Sequence, residues 1–355
     1  MLKTVLTLLL LFACAGLARA QWTTQPSGVT IRFRGVSAVN RRVAWASGAS
    51  GTYARTIDGG RTWRAGQVPG AEGLDFRDVD AFDADTAYLL AIGEGVRSRI
   101  YKTVDGGAHW TLQFQNRRAA GFFDCMAFWN RARGVALSDP VEGRFLVVTT
   151  DDGGRTWKET DAKGMPAALA GEGAFAASGT CVTIGGASDA WFGTGGPVGA
   201  RVFRSHDGGR SWEVSATPLA TGKAAGVFSL SFWDAGAGAA VGGDYTLEKE
   251  SAGNAAVTSD NGRTWRAVGE RRPAGYRSCV ARVAGTRGPT LIAVGPTGSD
   301  YSTDGGRTWT PLGTEGFHSV SIACGGEVAW AVGENGHIAR LDEPARLGRG
   351  RARRR

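Results

Sequence analysis

Short apolar stretches bounded by glycine-rich turns recur along the chain, and long amphipathic helical runs are scarce. Phe33-Arg34-Gly35-Val36-Ser37-Ala38-Val39 is one such stretch and Arg42-Val43-Ala44-Trp45-Ala46 the next. A glycine-rich turn follows, then a third strand running into Thr56-Ile57-Asp58-Gly59-Gly60-Arg61-Thr62-Trp63, then a fourth starting at that Trp. This order predicts a four-stranded antiparallel unit. The eight-residue signature recurs at Thr103 to Trp110, Thr150 to Trp157, Ser205 to Trp212, Thr258 to Trp265 and Ser302 to Trp309. Its consensus is [ST]-x-D-[GN]-G-x-[ST]-W, with His109 replacing the second hydroxyl once. The aspartates are Asp58, Asp105, Asp152, Asp207, Asp260 and Asp304, spaced 47, 47, 55, 53 and 44 residues apart. A repeat of that period points to a propeller or a solenoid.

Each position has a physical reason. The Asp carboxylate accepts backbone N–H groups of its own turn, and the glycine supplies positive φ. The Ser or Thr hydroxyl closes a second local bond. Trp63, Trp110, Trp157, Trp212, Trp265 and Trp309 start the next strand and are placed to pack between neighbouring units. A seventh unit lacks the signature. Phe317–Ile322, Val328–Val332 and His337–Leu341 supply three strands, and the segment from Gln21 to Phe33 is expected to supply the fourth. The expected fold is therefore all-β: a seven-bladed β-propeller of four-stranded antiparallel blades over residues 21–344, with six Asp-box hairpins. Pairing of its N- and C-terminal strands would close the ring and remove free edges. Six or eight blades fit the pattern less well.

Composition refines this picture. The 355 residues include 55 Gly and 12 Trp, as tight turns and flat packing side chains require. Residues 1–20 read as a signal peptide, with a basic start, an apolar stretch and Ala18-Arg19-Ala20 as the cleavage site. Cys14 sits in a faint lipoprotein box that Phe12 fits poorly, so export without lipid is the better reading. The expected location is periplasmic or secreted, with no transmembrane segment in the mature chain. Eight of the 41 basic residues lie in the leader and in an Arg-rich tail, residues 345–355. The remaining 33 are matched by 33 acidic residues, so the formal charge of +8 does not belong to the propeller. A balanced body of this kind is not a nucleic-acid surface. Cys125, Cys181, Cys279 and Cys324 remain after cleavage, and the sequence does not choose among their three pairings. There is no CxxC and no metal-spaced histidine cluster, and Gly193-Thr194-Gly195-Gly196-Pro197 reads as a hairpin turn. No cofactor and no metal are expected.

The boxes resemble the Asp-box, or BNR, repeats of sialidases and other secreted propellers, across nearly all of residues 21–344. Within that superfamily, the short blades, the Asp-Gly-Gly-Arg-Thr-Trp boxes and the leader look most like the photosystem II assembly (stability) factor family. That resemblance implies a periplasmic or lumenal binding protein that helps to assemble membrane complexes. The box itself says nothing about activity, because it lies at a hairpin remote from the usual site.

In a propeller, the start of each inner strand and the turn between strands two and three share the ligand face. Aligning the inner strands places Arg34, Arg77, Asp124, Ser178, Phe228, Arg277 and His318 around the central funnel. The turns add Glu94, Asp139, Glu142, Asp244, Tyr245 and Glu334. Arg34, Arg77 and Arg277, with His318 and Glu94, form an expected ligand-binding rim for carboxylate or phosphate; the alternative is that each arginine merely pairs with a neighbouring acid. Two functions from different classes follow. One is a non-catalytic scaffold of the envelope that holds an acidic protein segment or anionic ligand. The other is a glycoside hydrolase acting on a glycan, in which three arginines imitate the sialidase triad. Its candidate catalytic residues are Asp124, Asp139, Asp244 and Tyr245. Phe33-Arg34-Gly35-Val36 begins like the sialidase Phe-Arg-Ile-Pro motif but lacks its proline. The Asp244–Asn254 turn reads as an exposed arm.

Overall fold

A computed structural model describes residues 21–348 apart from Ala235 and Arg287; the leader and residues 349–355 of the tail lie outside the described residues. The strands form seven four-stranded antiparallel sheets, arranged as a seven-bladed β-propeller. The inner strands are Phe33–Ala38, Asp75–Ala81, Phe123–Phe128, Val182–Gly185, Ala225–Trp233, Cys279–Val283 and Ser319–Ile322, for blades 1 to 7 in that order. Each touches the inner strand of the next blade, and the last touches the first. Blade 7 takes its outer strand, Thr23–Gln25, from the start of the described chain, with Thr23 opposite Arg340 and Gln25 opposite Ile338. No helix among the described residues is long and apolar enough to cross a membrane.

The core is divided among the blades. Seven apolar clusters lie one at each blade interface. Each box tryptophan sits in the cluster shared with the preceding blade. Trp110 packs on Trp45 and Tyr53 of blade 1, and Trp309 joins Trp233 and Ala239 of blade 5. The boxes also lock their own hairpins. In the first, Asp58 accepts the Thr62 N–H at 3.0 Å and the Thr62 hydroxyl at 2.7 Å, while the Thr56 hydroxyl accepts the Gly60 N–H at 2.8 Å. In the second box, His109 Nδ1 lies 2.7 Å from Asp105 and takes the place of the hydroxyl. These bonds hold the carboxyls of Asp58, Asp105, Asp152 and Asp260 at about 2, below the usual range.

Inner strands of neighbouring blades do not pair as a sheet, so their edge N–H groups need other acceptors. Side chains of the preceding blade supply them. Ser37 accepts from Ala81, Asp78 from Met126, Asp80 from Phe128, Ser229 from Val280 and Ser321 from Ala38. Burial pushes Asp80 up to about 7 and Asp78 well above the ordinary carboxyl range. The pairing left open by the sequence is also settled: Cys125 of blade 3 is bonded to Cys181 just ahead of the blade 4 inner strand, while Cys279 and Cys324 are free.

Candidate ligand cup on the top face

Four inner strands carry a β-bulge near their start. The register skips one residue between Phe33 and Gly35, Phe76 and Asp78, Phe123 and Cys125, and Val227 and Ser229. The extra residues are Arg34, Arg77, Asp124 and Phe228. A bulge leaves its extra residue outside the ladder and re-aims its side chain, and here all four line one central cavity of about 510 Å³. His318, Asp139 and Tyr245 join them. The cavity forms a cup at the centre of the ring. Residues ahead of Val182 reach in to meet other blades, where the Ala176 carbonyl accepts from Arg77 of blade 2, and three serines bridge blades 4, 6 and 7. Ser178 donates to the Ser278 carbonyl, Ser278 to the His318 carbonyl, and Ser319 to the Ser178 carbonyl, at 2.7–2.9 Å.

One wall is cationic. Arg77 is committed: its Nε donates to Asp75 at 2.9 Å and its Nη1 to the Ala176 carbonyl at 2.9 Å. Arg34 is not. Its Nη1 reaches His318 Nδ1 at 3.3 Å, its buried Nε has no partner, and it forms no ion pair among the described residues. Burial first, then the neighbouring Arg77 and Arg32, pull its guanidinium down to about 10, so it stays charged at neutral pH. His318 donates through Nε2 to Glu334 at 2.7 Å, which leaves Nδ1 to accept from Arg34. Burial and the Arg34 charge hold His318 down to about 4, neutral at physiological pH.

A second wall is aromatic. Phe175 stacks on Phe228 with centroids 3.8 Å apart, and Tyr276 meets Phe228 edge-on at 4.8 Å. With Ala177 they form a small apolar cluster separate from the seven at the blade interfaces. The third wall is acidic. Asp124 is buried and its Oδ2 has no hydrogen-bond partner; burial, then the neighbouring Asp139, push its carboxyl well up. Asp139 accepts from the Ala174 N–H at 2.8 Å and is pushed by burial up to about 6.

Three expected residues stand elsewhere. Arg277 does not face the cup: it is fully buried, with its guanidinium 2.6 Å from Asp300 and further bonds to the Ala274 and Tyr276 carbonyls. Unlike Arg34, it occupies no bulge, because its strand starts two residues later at Cys279. Glu94 lies on a neighbouring groove that meets the cup at Phe122 and Asp139. Asp244 caps its own turn, accepting the Thr246 N–H at 2.8 Å. The arm it starts is less detached than expected, since Tyr245 and Glu248 form part of the cup wall. Sequence reasoning missed Phe175 and Tyr276, which lie in segments without regular strand pairing. Among the described residues no cluster of three or more His, Cys, Asp or Glu is placed to hold a metal ion.

The geometry can be compared with known proteins. The BNR/Asp-box repeat family model matches residues 300–311, the sixth box. No curated protein matches the chain by sequence. The solved structure described as "YCF48 bound to D1 peptide" matches with a TM-score of 0.64 and 16% identity, covering 92% of this chain and 96% of that one. "YCF48 from Cyanidioschyzon merolae" matches with a TM-score of 0.63 and 16% identity, covering 91% and 99%. The chain thus carries BNR/Asp-box repeats and shares the seven-bladed propeller fold of YCF48, at an identity that speaks for the fold alone.

Proposed function

We propose that this protein is an exported, non-catalytic scaffold whose cup holds an acidic segment of an envelope or membrane-complex protein. The observation that carries this reading is Arg34, a largely buried cation with no ion-pair partner among the described residues, facing an open cavity. Charges withdrawn from water are ordinarily paired, so an anion from outside completes the site. The aromatic wall of Phe175, Phe228 and Tyr276 adds an apolar surface for a neighbouring side chain. The similar structure of YCF48 holds a D1 peptide, which supports a peptide as the ligand. The Cys125–Cys181 bond supports an oxidising compartment and hence export.

An array of acidic and neutral heptapeptides, probed with the mature protein and with Arg34→Ala, tests this function. Retention of acidic peptides that falls about tenfold or more in the variant is expected. Equal retention of acidic and neutral peptides would overturn it.

Hydrolysis of a glycan is the second reading, and one observation favours it: two carboxyls with raised affinity for protons, Asp124 and Asp139, share the cup. Against it, the arginine triad lacks its third member, because Arg277 is locked on Asp300. Turnover of a fluorogenic glycoside that disappears in Asp124→Asn would replace the scaffold reading with this one.

A further inference from the structure

The cup presents a cation and a buried carboxyl that do not meet. Arg34 on blade 1 has no ion-pair partner among the described residues, and Asp124 on blade 3 has none either. Arg77 stands between them on blade 2; its charge acts on Asp124, but its donors go to Asp75 and the Ala176 carbonyl, so it makes no ion pair with either. Asp124 is 1% exposed, its Oδ2 has no hydrogen-bond partner, and its side chain lines the cavity. Asp139 lies beside it with one accepted bond, from the Ala174 N–H. A buried acceptor left without a donor is uncommon unless a ligand or ion supplies one. Asp139 and Phe122 also line the groove that leads outward past Glu94, which is exposed and unpaired among the described residues. Carboxyl groups thus continue from the inside of the cup to its outer margin on this side, with blade 2 between them and Arg34.

We propose that the cup is bipolar: it takes a segment in which an acidic side chain meets Arg34 and a lysine or arginine, set beyond an apolar residue, is held by Asp124 and Asp139. This rests on the reading of the protein as a peptide-binding scaffold and adds the chemistry of its partner. The apolar residue between the two charges lies on Phe175, Phe228 and Tyr276. An ammonium or guanidinium donates to the open Oδ2 of Asp124, and the orientation of the segment across the face is fixed by which charge goes to which wall. A purely acidic segment leaves the carboxyl wall facing like charge and is selected against.

Terminally blocked synthetic peptides test this by calorimetry, with Glu and Lys separated by one, two or three residues that include Phe. Each is paired with a version carrying Gln for Lys and a version carrying Gln for Glu. The expected result is that in at least one spacing the Lys→Gln change weakens binding about tenfold or more. Asp124→Asn and Asp139→Asn should each erase that difference while the dependence on Glu persists. Asparagine keeps the size and the Oδ1 acceptor, and a thermal melt of each variant verifies the fold. Glu-dependent binding with no preference for Lys at any spacing overturns the acidic pole and leaves the acidic-segment reading standing. A Lys preference that survives both variants overturns it as well. A Lys preference erased by both variants, with Glu dispensable, supports the acidic pole and overturns the role of Arg34. Binding of none of these peptides overturns both.

Discussion

Arg34 shows how a single residue is put to use against its own stability. Phe33 and Gly35 keep the strand pairing on either side of it, while the bulge turns its side chain into the cup, where its Nε finds no partner. Replacing an uncompensated buried charge with an apolar side chain of similar length is often stabilising. Arg34→Met should therefore raise the stability of the free protein by about 1 kcal/mol while removing acidic-peptide binding, as read by urea unfolding and calorimetry on one preparation. His318 gives a pH signature of the same wall. Its folded pKa, about 4, lies below the ordinary 6.5. The unfolded chain therefore binds a proton first as pH falls. This contribution to stability is present above pH 6.5 and is lost as pH falls from 6.5 towards 4, by up to about 3 kcal/mol. Asp78, Asp80, Asp124 and Asp139 act in the opposite direction, because their raised carboxyls favour the fold at low pH and weaken it as pH rises. The difference between the wild type and His318→Gln isolates the histidine. The wild type should lose more of its urea midpoint than the variant between pH 6.5 and 4, and equal losses would remove His318 from the Arg34 wall. Arg34 and Arg77 were legible as rim residues because each follows a phenylalanine at the start of an inner strand. Arg277 follows Tyr276 in a similar way, but Asp300 on a strand of the same blade captures it, and a pairing across 23 residues leaves no local mark.

At the scale of the strand and hairpin, the closing strand Thr23–Gln25 is held by a side chain as well as by its ladder. Gln25 Oε1 accepts the indole N–H of Trp63 at 2.9 Å and of Trp330 at 3.1 Å, joining blade 1 to blade 7. Gly60 permits this, since it holds φ at 81° and a Cβ there would come within 2.0 Å of the Gln25 amide. Gln25→Ala strands two buried indole donors and should cost about 2 kcal/mol in urea unfolding; no loss would mean that the ladder alone closes the ring. Boxes and inner strands were readable because each writes its own chemistry within eight residues. The segment ahead of Val182 was not. It is expected to start the blade 4 inner strand at Ser178, yet the strand starts at Val182, residues 174–177 line the cup and Ser178 is bonded to blade 6. The run of small residues here suits either a strand or a close approach to other blades, and only contacts with blades 6 and 7 separate the two. Phe175 and Tyr276 escaped notice for the same reason, since an aromatic in an irregular segment carries no period to place it.

For the whole molecule, division of the core into seven interfacial clusters makes the ring as strong as its connections. The Cys125–Cys181 bond ties blade 3 to the segment ahead of Val182 and closes a separation of 56 residues. By loop entropy it contributes up to about 4 kcal/mol. The double variant Cys125→Ala/Cys181→Ala should show that loss, and a stability unchanged by the substitution would place the restraint elsewhere. The same segment also supplies residues 174–177 to the lining of the cup. Blade number and box chemistry could be read from the repeat, but the shape of the top face depends on which irregular segments fold over it. The decisive titration is of a terminally blocked, Glu-containing peptide into the mature protein and into Arg34→Ala, by calorimetry. Binding by the wild type that weakens about tenfold or more in the variant places the ligand at the unpaired guanidinium, as proposed. Equal affinity for the two proteins would show that the cup is not where an acidic segment is held.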